Sequence, residues 1–417
     1  MTDYPVEGPL NGLKVISFEH AWAAPYGTMM LADMGADVVK VEPPGLGDHV
    51  RGWTRNDLDG LSPHFLAVNR NKRSIVLDLK SEAGLEVART LIGEADALVE
   101  NFSPTTMTRL GLGYDQVAAD NPGLVYCSVS GFGETGPYRS RRAYDLLIQA
   151  EGGLLSVTGT DEESPAKVGT AVVDILAAMV AAFSVAAALR GAERSGRGRH
   201  IDVSMLEVAA SSMAFNLFSY GISGVKALPM GTAHPLLAPY EVYRTATSPV
   251  AVAILTEAHW RTFCRLVRRE ELVSDPRFAT APMRVANRGQ LNEELQPVFD
   301  SWKSEDLVPA LADAGLACAQ VNDVADLIEH PQLHDRGFFS QWQLGDRTVT
   351  APGAPWRMGD EPQGPDRLPA AVPGEHAASV LDDWTTLAPE TRDRLRAAGA
   401  FGDADAMAAT TDSGEGR

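Results

Sequence analysis

LKVISFEHAWAAPYGTMMLADMGADVVKVE, residues 13–42, decides the fold class. LKVISF (13–18) is a short apolar run of the kind that forms a buried strand. PYGTMMLADM (25–34) predicts a helix; Pro25 is tolerated in its first turn, where its missing N–H has no intrahelical acceptor to lose. Gly35 ends that helix, and ADVVKVE (36–42) is the next strand. A strand, a helix and a second strand at this spacing imply a crossover between parallel strands.

The same alternation continues outward. SIVLDL (74–79), DALVEN (96–101) and LVYCSVS (124–130) predict further strands, with a helix over 82–93. A long helix over about 172–192, a strand at HIDVSM (200–205) and a helix from about 205 to 220 follow. The class is α/β, a parallel sheet with helices on both faces. After Gly221 the texture changes to GISGVKALPMGTAHPLLAP, a Gly- and Pro-rich linker. It opens a smaller α+β unit marked by VAVAILT (250–256), a helix from His259 to about Val267, and helices near 290–300 and 305–314. The expected organisation is a large domain over 1–220, a linker and small domain over 221–330, and a return segment over 331–402 ending in PETRDRLRAAG. A small, polar, acidic tail over 403–417 is expected to be disordered.

The 417 residues carry a net charge of −19. Such a surface repels phosphodiester backbones, so no nucleic-acid partner is expected, and an anionic substrate needs local Lys or Arg. Cys127, Cys264 and Cys318 are far apart and no CxxC occurs, which indicates neither a zinc site nor a disulfide framework. No HExxH and no G-x-S-x-G is present, and the histidines are scattered. MTDYPVEGPL has acids and prolines where a signal peptide has basic and then apolar residues, so a cytoplasmic location is expected. Residues 171–190 are long enough to span a bilayer, but they are alanine-rich with an aspartate in the first turn. They read as a buried core helix, and no membrane partner is expected.

GFGETG (131–136) has the G-x-G-x-x-G form, but Pro137, Tyr138 and Arg139, Arg141 and Arg142 follow where a dinucleotide fingerprint needs a helix. It reads as a loop at the carboxyl end of a strand, where ligands of open parallel sheets sit. Two basic clusters, Arg70–Lys72–Arg73 and Arg139–Arg141–Arg142, read either as solvated faces or as receptors for the phosphates of an anionic cofactor. Asp174 is the only ionisable side chain from Val168 to Leu189. A carboxylate in a first helical turn has a structural reason of its own, the helix dipole. In a dry pocket it would also be a less hydrated, more reactive nucleophile toward an acyl carbon.

An ordered set of segments resembles the class III CoA-transferase family, which includes α-methylacyl-CoA racemases. The set is GPLNGLKVISFEH (8–20), MMLADMGADVVKVEPPGLGDHVR (29–51), NRNKRSIVLDLKSEAG (69–84), ADALVENFSP (95–104), LGLGYDQVAADNPGLVYCSVSGFGETGPY (110–138), YDLLIQAEGGLLSVTG (144–159), KVGTAVVDILAAM (167–179), GRGRHIDVSMLE (196–207), HPLLAPYEVY (234–243) and DPRFAT (275–280). The resemblance implies a Rossmann-like large domain built from both chain ends, a small middle domain, and two subunits interlocked as rings in a homodimer. It also implies a CoA thioester as substrate, a carboxylic acid as acceptor, and no permanently bound cofactor or metal. Asp174 matches the family nucleophile, which forms a mixed anhydride and then an aspartyl-CoA thioester. Asp145 matches a second carboxylate near it. Asn71, Lys72 and Arg73 resemble a nucleotide-contacting segment, and Asn101 and Phe102 a loop along the cofactor. Tyr144 stands where family racemases carry a histidine base; a phenol with a pKa near 10 is a poor base at neutral pH, which favours transferase over racemase. Trp22 stands where formyl-CoA:oxalate enzymes have glutamine, and the glycines at 221, 224 and 231 are separated rather than in a run. Trp22 is expected to wall a pocket for a larger acyl group. A CoA-binding protein without turnover is the third reading.

Overall fold

The computed structural model describes residues 8–54, 62–359 and 367–402, so the tail read as disordered lies outside the described residues. Six strands form one parallel sheet: β1 (Lys14–Phe18), β2 (Asp37–Glu42), β3 (Arg73–Val76), β4 (Ala97–Glu100), β5 (Val125–Ser130) and β6 (Arg199–Ser204). Their order is β3-β2-β1-β4-β5-β6, all pairs parallel. The chain runs outward from β1 on one side and from β4 on the other. The switch point between β1 and β4 opens a crevice at their carboxyl ends.

Each face of the sheet has its own core. On one, Val15, Val38, Val99, Cys127 and Val129 pack with the Pro25–Asp33 helix and the long Val172–Ser195 helix. On the other, Ile16, Val39, Leu98 and Tyr126 pack with the Glu82–Gly93 helix and with Val380, Leu381, Trp384 and Leu395 of the return segment. Small residues let the first pair of helices touch: a Cβ at Gly27 would lie 2.7 Å from the Ala178 carbonyl oxygen. The long helix is apolar enough to cross a membrane by length and composition alone, with a mean hydropathy of 2.3. It is not buried all round, as the sequence suggested. Val173, Ala177, Ala181 and Val185 face the core, while Met179, Val180 and Phe183 are exposed.

Among the described residues the chain forms two compact units. One comprises the stretch up to Leu154, Val168–Ser219 and everything from Leu333 on; the other comprises Leu155–Lys167 and Tyr220–Gln332. The excursion at Leu155–Lys167 is not foreseen in the sequence reading. The second unit has an antiparallel sheet in the order β7 (Tyr240–Tyr243), β8 (Val250–Ala253) and β9 (Ala317–Gln320). Its core gathers Trp260, Phe263, Leu291, Leu295 and Phe299. Back in the first unit, β10 (Phe339–Leu344) and β11 (Arg347–Pro352) form a hairpin. One expected helix is two. Met205–Ser212 and Ala214–Ser223 are separated at Met213, where the Ser212 hydroxyl donates to the Ala209 carbonyl at 2.7 Å and competes with the helical ladder.

Candidate active site

The loops after β1, β4 and β5 enclose a cavity of about 460 Å³. From β1 come His20 and Trp22, from β4 Asn101 and Phe102, and from beyond β5 Gly131, Arg139, Arg141, Arg142 and Tyr144; Asp174 completes it. Trp22 and Ala23, which lead into the Pro25–Asp33 helix, and Asp174, in the first turn of the long helix, both line it. Two helix starts therefore open on one cavity, and their dipoles favour negative charge there.

Asp174 is mostly buried, and burial first, then the neighbouring Asp145 charge, push its carboxyl up to about 7. Asp145 does not line the cavity; it stands behind Asp174 and caps its helix. Asp145 Oδ1 accepts from the backbone N–H of Val173 at 2.8 Å and of Asp174 at 3.4 Å, and Oδ2 accepts from Gln149 Nε2 at 2.5 Å. The side-chain carbonyl of Gln149 in turn accepts from Val168 N–H at 3.0 Å. The segment before the long helix is thus tied to the Asp145–Glu151 helix from two sides.

The glycine loop follows β5 and opens no helix, as its sequence predicts; Gly133 and Gly136 take φ of 85° and 87°. This brings all three arginines to the cavity. Arg141 is held by Glu151 and by the Phe132 and Tyr138 rings. Among the described residues Arg142 makes no side-chain hydrogen bond or ion pair, which leaves it available to an anion.

Asn101 clamps the β1 loop: its side-chain oxygen accepts from His20 N–H at 3.0 Å and its amide donates to the His20 carbonyl at 2.8 Å. The Phe102 ring stacks on His20 with centroids 5.7 Å apart. Beyond them lies a second cavity of about 520 Å³ at the ends of β2 and β3, lined by Val41, Pro43, Leu77, Leu79 and Lys80 and sharing His20, His49 and Phe102 with the first. A string of rings continues from His20 to His49 (5.2 Å), Trp53 (5.2 Å), His64 (5.4 Å) and Trp22 (6.1 Å). His20 is pushed below the usual histidine range, chiefly by burial, so it is neutral at pH 7.

The chain matches a model of CoA-transferase family III over residues 10–377. It belongs to that family. Succinate–glutarate CoA-transferase of Agrobacterium fabrum is 36% identical, over 93% of this chain and 98% of that one. Succinyl-CoA:mesaconate CoA-transferase of Haloarcula hispanica is 34% identical, over 90% of this chain and 96% of its own. A crystal structure of a CaiB/BaiF family protein from Brucella suis superposes with a TM-score of 0.82 at 35% identity, covering 91% of this chain and all of that one (100%). The protein is therefore a CoA-transferase.

In this CoA-transferase, the structure brings Trp22, Asn101, Phe102, Tyr144 and Asp174 to one cavity, with Asp145 directly behind. It does not bring Asn71, Lys72 and Arg73 there. All three are buried and turned to other partners. Lys72 Nζ donates to Glu19 Oε1 at 2.7 Å, the Pro25 carbonyl at 2.8 Å and Asn69 Oδ1 at 3.0 Å. Arg73 binds Asp37 and Asp383, and Asn71 donates to Asp33 at 2.8 Å. Burial pulls Lys72 down to about 8, against the Glu19 charge that holds it up. The sequence reading missed His20 and His49. Their signal was position, not motif: His20 lies just past the first strand, at the switch point.

Proposed function

We propose that this transferase moves CoA from an acyl-CoA to a carboxylic acid by covalent catalysis at Asp174. The ionised Asp174 carboxylate attacks the thioester carbonyl, the C–S bond breaks, and CoA leaves as thiolate. The thiolate attacks the Asp174 carbonyl of the resulting anhydride and releases the donor acid as its carboxylate, leaving an aspartyl-CoA thioester. The acceptor carboxylate attacks that thioester, and the two steps run in reverse to regenerate Asp174. Each step is an acyl transfer between groups of similar energy, which is why a covalent route lowers the barrier. Asp174 itself carries the reading: a largely buried carboxyl, titrating at about 7, at a helix start that opens on a cavity with arginines. Desolvation makes it a better nucleophile.

We assign the nucleotide end of CoA to the second cavity, where Leu77 and Leu79 offer an apolar seat for a base and Lys80 stands beside the lining acids Glu19, Glu42, Asp48 and Asp78. Names of the relatives above point to a short dicarboxylic acid as acceptor, and Arg142, which like Arg139 makes no side-chain hydrogen bond or ion pair among the described residues, is our choice for its distal carboxylate. Trp22 lines the cavity as an apolar wall, which favours an acyl group larger than that of oxalate. A homodimer is also part of the proposal, because Phe183 and Phe218 are 77% and 74% exposed and apolar surface of this kind calls for a cover.

The test is intermediate capture. Protein incubated with succinyl-CoA and no acceptor, then digested, should give a peptide containing Asp174 with the mass of a CoA adduct, and Asp174→Asn should give none. An adduct on another residue, or exchange at the parent rate in Asp174→Asn, would overturn the mechanism. Light scattering reads the oligomeric state, and a monomer would remove the dimer from the proposal.

A further inference from the structure

On the sheet face opposite the long helix, one row of side chains crosses β4, β5 and β6. Glu100 pairs in register with Ser128, and Ser128 with Asp202, so all three point the same way. Each acid of this row holds one cavity loop. Glu100 is buried, and its Oε2 accepts from Phe102 N–H at 2.8 Å, at the start of the loop shared by the two cavities. Asp202 Oδ2 accepts from Glu134 N–H at 3.0 Å, inside the glycine loop that carries the arginines. Ser128 lies between the two in the row, and its hydroxyl is 3.0 Å from His200 Nε2 on the exposed side.

We propose that Glu100 is a positioning residue for CoA binding, and that its charge is linked through Asp202 and Glu134 to how firmly both cavity loops are held. The inference rests on the reading of the cavity as the CoA site. A carboxylate accepts a backbone hydrogen bond more strongly than a neutral acid. Ionised Glu100 therefore pins Phe102, and through its stacking His20, more tightly than protonated Glu100. Burial first, then the Glu134 and Asp202 charges, push its carboxyl up to about 7, against the pull of the Ser128 hydroxyl and the Phe102 N–H. The titratable groups around it are Tyr126 and Cys127 on β5, Glu134 on the glycine loop, and His200 and Asp202 on β6. Tyr126 and Cys127 are pushed far above neutrality, and His200 is pushed down by burial. Glu100 is the member of this row poised to change charge between pH 6 and 8.

The experiment measures the dissociation constant of CoA by calorimetry from pH 6 to 8 in an Asp174→Asn background, which removes the other carboxyl titrating near 7. Comparison between variants cancels the titration of the ligand. Glu100→Gln mimics the protonated acid while keeping an acceptor for Phe102. It should match its parent at pH 6 and bind about fivefold more weakly at pH 8, which is roughly 1 kcal/mol. Asp202→Asn keeps the Glu134 contact but removes one repelling charge, so the midpoint of the parent's pH dependence should move down. A purely structural Glu100 predicts no such shift. If the Glu100→Gln to parent ratio is the same at both pH values, or Asp202→Asn leaves the midpoint in place, the positioning role is wrong. If the background protein binds no CoA at any pH, it is the reading of the cavity that fails instead.

Discussion

Asp174→Asn is expected to abolish transfer and, at high pH, to make the protein more stable. The Asp174 carboxyl sits near 3.8 in the open chain and at about 7 in the fold. Between those values the folded state binds more protons than the unfolded one, so stability falls as pH rises through this window. Three units at about 1.36 kcal/mol each give an upper bound of about 4 kcal/mol above pH 7. The helix start favours a carboxylate by up to about 1 kcal/mol, and water reaches the cavity, so about 2 kcal/mol is the working figure. Asparagine carries no such penalty. At pH 8 the full gain applies; at pH 5.5 only about half of the window has been crossed, so about 1 kcal/mol remains. For a chain of this length 1 kcal/mol is roughly 1 °C of melting temperature. Scanning calorimetry should thus show Asp174→Asn melting about 2 °C above its parent at pH 8, with a gain about half as large at pH 5.5. A lower melting temperature at pH 8, or a gain that does not change with pH, would refute the picture of a destabilised, desolvated nucleophile.

Three other outcomes follow from the same geometry. Asp145→Ala removes the acceptor for Val173 N–H and the charge beside Asp174. Stability should fall by about 1 kcal/mol as for a lost cap, kcat should drop, and the acid limb of the kcat/KM profile should move to lower pH; a limb that stays put would show that the Asp145 charge does not act on Asp174. Lys72→Met leaves the buried Glu19 with the Thr28 hydroxyl at 2.8 Å and, among the described residues, Lys40 at 3.8 Å as its remaining cation, and should cost about 3–5 kcal/mol in denaturant melts. A loss of CoA affinity without a loss of stability would instead return Lys72 to the nucleotide. Gly27→Ala drives a Cβ to 2.7 Å from the Ala178 carbonyl, one helical turn beyond Asp174. It should cost about 1–3 kcal/mol and lower kcat together with stability, whereas an unchanged melt would show that the two helices can part without strain.

Most of the large unit was legible because its signals are local. Apolar runs, Gly35 after the first helix and an alternation of strand and helix fix β1 to β6 within three residues of the stretches the sequence marks. In such a parallel sheet the carboxyl ends of the strands become the ligand side, while the switch point between β1 and β4 shows only in the folded strand order. The glycine loop was read correctly as a loop because Pro137 and the arginines deny it a helix. What the sequence hid are pairings between distant residues. NRNKRS looks like a phosphate receptor, but its cations answer acids just past β1, on β2 and on the first helix, namely Glu19, Asp37 and Asp33, which lie 53, 36 and 37 positions earlier. Asp145 looked like a second catalytic acid, but its oxygens are engaged by N–H groups twenty-eight and twenty-nine residues on. The two basic clusters were equivalent in composition and differ only in what faces them. The cluster entering β3 is buried and must be neutralised, because an unpaired buried charge costs several kcal/mol. The cluster on the loop beyond a strand end faces an open cavity, and there an unpaired Arg142 is tolerated by water until an anion replaces it. In a parallel α/β sheet, therefore, where a basic run sits along its strand decides between structure and binding, and composition does not.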